Sequence, residues 1–155
     1  MGAIQVGDPA PDFSAEAHNG RHVALSEFRG QQAVVLFFYP SDGTPVCTAE
    51  VCAFRDSFAD FADAGAVVIG VSGDSLESHR AFADKQRLPF LLVSDQDGSI
   101  RKLFGVPKTL IVLPGRVTYV IDKSGIVQLV FNSQLNASKH ITEALAVVRQ
   151  VVQRA

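Results

Sequence analysis

Apolar residues fall along this chain in two rhythms. Residues 33–39 (AVVLFFY) and 66–72 (AVVIGVS) are apolar runs of strand length, rich in β-branched and aromatic side chains, as in strands buried on both faces. Between them Val51, Phe54, Phe58 and Phe61 recur at spacings of three and four, one face of a helix, until Gly65 interrupts the series. Strand, helix and strand in this order predict a parallel, right-handed βαβ unit. Asp74 with Glu77 three residues on resembles a capping box and predicts a helix over about residues 75–86, closed before Pro89. Residues 90–94 (FLLVS) predict a short strand and residues 97–105 (DGSIRKLFG) a short helix ended by Gly105. Residues 116–122 (RVTYVID) and 126–131 (IVQLVF) flank Lys-Ser-Gly and read as an antiparallel hairpin. From about Ala137, the positions Ile141, Ala144, Leu145, Val148 and Val152 mark a last amphipathic helix. The fold class that follows is α/β, a central mixed sheet with helices on both faces.

Size and charge narrow the classes of function. With 155 residues, 47% of them hydrophobic, the chain fits one domain over residues 1–155, with enough interior to fold without disulfide staples. A formal net charge of −2 and the lack of any Lys/Arg cluster provide no field for a phosphate backbone, so nucleic acid is not an expected partner. The longest apolar runs fall far short of the ~20 residues a membrane span needs. The first residues, MGAIQVGDPAPDF, show neither a basic start nor a long apolar core, so the expectation is a cytoplasmic protein without membrane association.

The two cysteines change the picture most. Cys47 and Cys52 are the only thiols in the chain and stand five residues apart, where a Pro/Gly-containing loop, YPSDGTP, turns into the helical run. In a reducing compartment a close pair of free thiols is more often redox-active or metal-binding than structural. Thr44 followed by Pro45 is a helix start: the hydroxyl suits the cap and proline suits the first helical position. Cys47 then lies in the first turn, where unpaired backbone N–H groups and the positive end of the helix dipole favour a thiolate. A helix end supplies only ~0.3–1 kcal/mol at exposed positions and up to ~2 in favourable geometry, so a cation is also required. The loop contains none, which leaves Arg55, or Arg116 after Leu-Pro-Gly, as candidates. Five residues along an ideal helix put Cα atoms about 8.7 Å apart with side chains ~140° apart, and a disulfide tolerates at most about 7 Å. A Cys47–Cys52 bond therefore requires the first turns to unwind.

These residues carry a resemblance. PSDGTPVC (residues 40–47) resembles the Pro-x-x-x-Thr-x-x-Cys motif of peroxiredoxins, and the following TAEVC resembles the Cys-x4-Cys arrangement of the Q-type, or bacterioferritin-comigratory-protein, branch. VGDPAPDF, LSEFRG, VVLFFYP, LLVSDQDGSIRKLFGV and GRVTYVIDKSG are similar to family segments in family order, so the likeness spans nearly the full chain. It implies a thioredoxin-like fold and a thiol-dependent peroxidase acting on hydrogen peroxide and organic hydroperoxides. Cys47 would be the peroxidatic thiolate, Thr44 would hold thiolate and peroxide, Pro40 would shield the site from water, and Arg116 would be the missing cation. Glu50 matches the Thr-x-Glu that follows the cysteine and would orient the arginine. Cys52 would condense with the sulfenic acid, the reversible rung of thiol oxidation. Thioredoxin or a glutaredoxin-type dithiol would reduce the resulting disulfide by exchange. No cofactor is implied, and a resolving thiol on the same chain leads us to expect a monomer, with a dimer as the alternative. One departure is Val46, where Q-type members commonly have glycine; its β-branched side chain bears on peroxide preference rather than on reaction class.

Rival readings stay open at this stage. Cys52, beside Val51 and Phe54, also suits an inert core position, which leaves a one-cysteine peroxidase. A thioredoxin-like protein disulfide oxidoreductase or an interaction module would use the same scaffold, although disulfide exchange usually employs Cys-x-x-Cys. Zinc wants four ligands at close spacing, and His18, His22, His79 and His140 are scattered, so no metal is expected.

Overall fold

The two long apolar runs become the middle of a sheet because neither face of either strand is left to water. In the computed structural model, which describes residues 3–106, 116–133 and 136–154 (backbone only for 152–154), β1 (Ser14–Glu16) and β2 (His22–Ala24) form a small antiparallel hairpin followed by a 3₁₀ turn over Leu25–Phe28. The larger sheet contains β3 (Ala33–Phe38), β4 (Ala66–Ser72), β5 (Leu91–Ser94), β6 (Val117–Ile121) and β7 (Val127–Asn132) in the spatial order β5-β4-β3-β6-β7. Strands β3, β4 and β5 are parallel; β6 runs antiparallel to β3 and pairs with β7 as the expected hairpin. All six residues of β3 are buried.

The helices among the described residues are α1 (Pro45–Asp56), α2 (Phe58–Asp63), α3 (Leu76–Gln86), α4 (Ser99–Phe104) and α5 (Ala137–Arg154). One core lies between the sheet and α1, α2, α3 and α5; it includes Val35, Phe37, Phe54, Phe61, Phe82 and Val148. The opposite core gathers Leu36, Phe38, Tyr119 and Phe104 of α4 under the hairpin and the 3₁₀ turn. The mixed sheet with helices on both faces is therefore the observed architecture. No helix among the described residues is long and apolar enough to cross a membrane.

Two local expectations need correction. The helix read from Val51 to Phe61 breaks at Ser57, whose φ of −100° and ψ of 6° end α1 before α2 starts. The bend keeps Phe61 against Phe54 at a ring separation of 5.8 Å while Phe58 is only half-buried, so an unbroken spacing of three and four concealed a change of direction. Asp74 does not cap α3: Ser75 does, its hydroxyl accepting from the Ser78 N–H at 3.1 Å. The Asp74 carboxylate instead accepts from the Ser72 hydroxyl and from the backbone N–H of Asp42. On α5, Ile141, Ala144 and Val148 face the core and Leu145 packs at its margin, whereas the side chain of Val152 lies outside the described residues.

Candidate active site

The parallel strands all point their C-terminal ends toward one edge, and the loop leaving β3 carries the chain from Tyr39 and Pro40 into α1. Pro40 is half-buried at that exit. Tyr39, Asp42, Ser78 and His79 lock the loop to α3: the Tyr39 hydroxyl donates to Asp42 Oδ1 at 2.6 Å, and the Ser78 hydroxyl to Oδ2 at 2.8 Å. His79 Nδ1 lies 2.8 Å from the same Oδ2, while its Nε2 faces the Val93 carbonyl at 3.1 Å. These contacts hold the Asp42 carboxyl below its usual range despite the burial that opposes ionisation; the His79 and Tyr39 hydrogen bonds outweigh it.

Thr44 is the N-cap residue and Pro45 opens α1, as expected. The cap works differently from expectation, because the Thr44 hydroxyl donates to the Ser41 carbonyl at 3.1 Å and makes no cap bond. Thr44 is exposed at the surface of the site, Val46 is half-buried, and Cys47 is 1% exposed. Glu50, three residues on, shares the buried face of α1 with Cys47, Val51 and Phe54.

Arg116, immediately before β6, is 3% exposed and bridges the two. Its Nη2 donates to Cys47 Sγ at 3.1 Å and its Nη1 to Glu50 Oε1 at 2.7 Å. Residues 113–115, the Leu-Pro-Gly before it, lie outside the described residues. Of the two candidate cations, Arg116 is thus the one at the sulfur; Arg55 pairs with Asp56 and donates to the Gln86 carbonyl at 2.9 Å. Burial pushes the Glu50 carboxyl up to about 7 against the pull of Arg116. Burial also disfavours the Arg116 cation, but Glu50 and Cys47 outweigh it and the guanidinium is held above its ordinary value.

Cys52 is half-buried two turns along α1, and its Sγ faces Gln86 Oε1 at 3.2 Å. Both cysteines are free. The sulfurs thus belong to one continuous helix with different neighbours, and the unwinding argument holds for this geometry.

Sequence reading missed three participants. His140 on α5 is fully buried against this site, and its Nδ1 lies 3.4 Å from Glu50 Oε2. The signal was there: His140, Ala144 and Val148 recur every four residues, so a titratable ring occupies the buried stripe of α5. Asp42 and His79 were also overlooked; with Asp74 they bring carboxylate and imidazole atoms within 4.8 Å of one another. Each of these side chains already has protein hydrogen-bond partners.

A family model described as AhpC/TSA family matches residues 6–130. Peroxiredoxin Q, chloroplastic, of Sedum lineare is 52% identical over 149 residues, covering 96% of this chain and 80% of the relative. The protein of the same name from Triticum aestivum is 49% identical over 151 residues, covering 97% and 69%. Among solved structures, peroxidoxin BcpB of Mycobacterium tuberculosis superposes with a TM-score of 0.88 at 36% identity over 96% of this chain and 98% of that one. The PrxQ of Xylella fastidiosa superposes with a TM-score of 0.88 at 28% identity over 97% and 98%.

Proposed function

This chain belongs to the AhpC/TSA family, as a thiol peroxidase of the peroxiredoxin Q kind on a thioredoxin-like fold, and from that premise we propose that Cys47 is its peroxide-reacting thiolate. The Cys47 sulfur attacks the terminal oxygen of a hydroperoxide; an S–O bond forms, the O–O bond breaks, and the departing oxygen leaves as an alcohol or water after taking a proton. Sulfur is oxidised to sulfenic acid and the peroxide is reduced by two electrons. The observation that carries this reading is the Arg116 guanidinium, whose two nitrogens reach Cys47 Sγ and Glu50 Oε1 at once. A preorganised cation in a buried site acts most strongly where charge redistributes as the O–O bond breaks. Glu50 fixes the fork of Arg116, Pro40 limits water at the loop, and the Thr44 hydroxyl turns from Ser41 to an incoming peroxide.

Cys52 then attacks the sulfenic sulfur; an S–S bond forms and water leaves. Thioredoxin or a glutaredoxin-type dithiol restores both thiols by exchange. The enzyme works as a monomer in a reducing compartment, the cytoplasm, where free thiols persist until peroxide arrives. A second reading is supported by the Cys52 contact with Gln86, which points the thiol to α3 rather than to Cys47 and suits a one-cysteine cycle with an external thiol.

Mass spectrometry after one equivalent of hydrogen peroxide distinguishes them. The expected product has lost two hydrogens and carries a Cys47–Cys52 link within one chain; Cys47→Ser shows no such loss and no peroxide consumption. Peroxide consumption by Cys47→Ser at the wild-type rate overturns the assignment. Thioredoxin-driven turnover that survives Cys52→Ser intact replaces the two-cysteine cycle with the second reading.

A further inference from the structure

Arg116 binds one oxygen of Glu50; the other, Oε2, is buried without a hydrogen-bond partner. An orphaned carboxylate oxygen away from water is costly, so its surroundings need a function. His140 Nδ1 lies 3.4 Å from it, and both side chains are fully buried. His140 Nε2 lies 2.8 Å from the Ser133 carbonyl, which can only accept, so Nε2 carries a hydrogen. Nδ1 is therefore the nitrogen whose proton can come and go. Thr118 Oγ1 lies 2.7 Å from it, and a hydroxyl adapts to either state, donating to a bare nitrogen or accepting from a protonated one.

Charge fixes how many protons this cluster wants. Among the described residues, a Cys47 thiolate, the Arg116 cation and an ionised Glu50 sum to one negative charge in a buried space. One proton on Oε2 or on Nδ1 brings the sum to zero. We propose that His140 is a positioning residue for the peroxide reaction: it holds a single proton jointly with Glu50, and that shared proton balances the Cys47 thiolate through the bridging Arg116. The proposal rests on the reading of Cys47 as the reacting thiolate.

The groups facing the pair are Cys47 on α1, Arg116 before β6, Thr118 on β6, and the Ser133 carbonyl and Phe131 ring at the end of β7; among the described residues α2 and β3 present no titratable side chain to it. Burial raises Glu50 to about 7 and, with the Arg116 charge, lowers His140 against the Ser133 hydrogen bond. The Glu50 carboxyl is therefore about half-protonated near neutral pH, with Nδ1 beside Oε2 to share that proton. The coupling is reciprocal: a thiolate favours the protonated pair, and the protonated pair favours the thiolate.

The first test needs no peroxide, so its failure is distinct from failure of the peroxidase reading. Reduced protein carrying 13C in glutamate carboxylates and 15N in histidine rings is titrated by NMR over about pH 5 to 9, where such groups exchange protons. Glu50 Cδ and His140 Nδ1 should move with one shared midpoint, because a strongly coupled pair titrates as a unit. Cys47→Ser removes the neighbouring anion and should lower that midpoint by about one unit. Midpoints more than about one unit apart, or a midpoint indifferent to Cys47→Ser, overturn the proposal.

The second test reads the reaction. His140→Gln cannot titrate and should slow the reaction of Cys47 with hydrogen peroxide about tenfold at neutral pH, one unit of protonation free energy, and shift the inflection of the pH–rate profile. In a Glu50→Gln background the same change should add nothing further. A His140→Gln profile superimposable on wild type, or additive effects of the two substitutions, overturns the proposal, and the NMR titration decides if His140→Gln fails to fold.

Discussion

Removing the Arg116 charge tests the electrostatics of the site most directly. At 3.1 Å from Cys47 Sγ, a full cation attracts a sulfur anion by about 5 kcal/mol at an effective dielectric of 20. Keeping the guanidinium out of water offsets part of this, and charged hydrogen bonds contribute a net ~1.5–3 kcal/mol in measured cases. Arg116→Gln should therefore cost about 3 kcal/mol of transition-state stabilisation, or roughly two orders of magnitude in rate at 1.36 kcal/mol per tenfold. Arg116→Lys keeps the charge but not the fork, because a single ammonium cannot reproduce parallel donors to Sγ and to Glu50 Oε1; about a tenfold loss is expected. Acid-quenched flow with alkylation and mass spectrometry gives the second-order rate of the reduced protein with hydrogen peroxide. Iodoacetamide labelling of Cys47 gives an independent reading of thiolate. Should folded Arg116→Gln stay within about threefold of wild type in both, the guanidinium is not what activates the sulfur.

Glu50 links the site to stability. Its carboxyl lies at about 7 when folded against an ordinary 4.5, so its contribution is fully present below about pH 4.5 and lost as pH rises through about 7. Urea unfolding should show wild type losing up to about 3 kcal/mol relative to Glu50→Gln across that window, and a flat or rising difference contradicts the assignment. Asp42→Asn removes the carboxylate that accepts from Tyr39 and Ser78 and faces His79; it should destabilise by about 3 kcal/mol near neutral pH. Because the Asp42 carboxyl is held low when folded, that contribution exists above its ordinary value of 3.8 and disappears as pH falls through the folded one. Urea midpoints of both proteins at neutral and acid pH check the penalty and its decline.

The sheet was legible because its strands are either apolar throughout or closed by a clear turn, and such patterns have few other uses. Cys47, Glu50 and Arg116 were legible by a different route: an unusual spacing and a missing cation, together with family likeness, since nothing local says that an arginine 69 residues away reaches a given sulfur. The break at Ser57 was not legible, because serine neither forbids nor demands a helix and the apolar spacing runs through it. Asp74 misled because Asp followed by Glu at the third position is the right pattern, while the helix starts one residue later, with Ser75 accepting from the Ser78 N–H and the Asp74 carboxylate left for Ser72 and Asp42. His140 was hidden by chemistry: a histidine on an apolar helix face is read as filler until the far wall of its pocket proves to hold a carboxylate.

Linking the two sulfurs asks α1 to do what its hydrogen bonds oppose, and the restraints along it determine how far the opening runs. Near its start the helix is held by the Arg116 contact and, through the loop, by the Asp42 network. Beyond Cys52, Phe54 stacks on Phe37 at 4.3 Å and Arg55 holds the Gln86 carbonyl, so the third turn is anchored to the sheet and to α3. A cavity of about 420 Å3, lined by Asp42, Gly43, Thr48, Phe82 and Gln86, lies between the first turns and α3 and gives the released segment room. The break at Ser57 separates α2, whose Phe58 rests against Phe90 and Phe61 against Phe54. Opening should therefore stop near Phe54: in oxidised protein the amides of residues 48–53 lose hydrogen-exchange protection, while β3 and α2 keep theirs. Exchange measured on reduced and peroxide-treated protein reads this directly. Protection retained over residues 48–53 in a chain whose mass shows the internal link, or lost through Asp63 as well, contradicts the division of restraints described above.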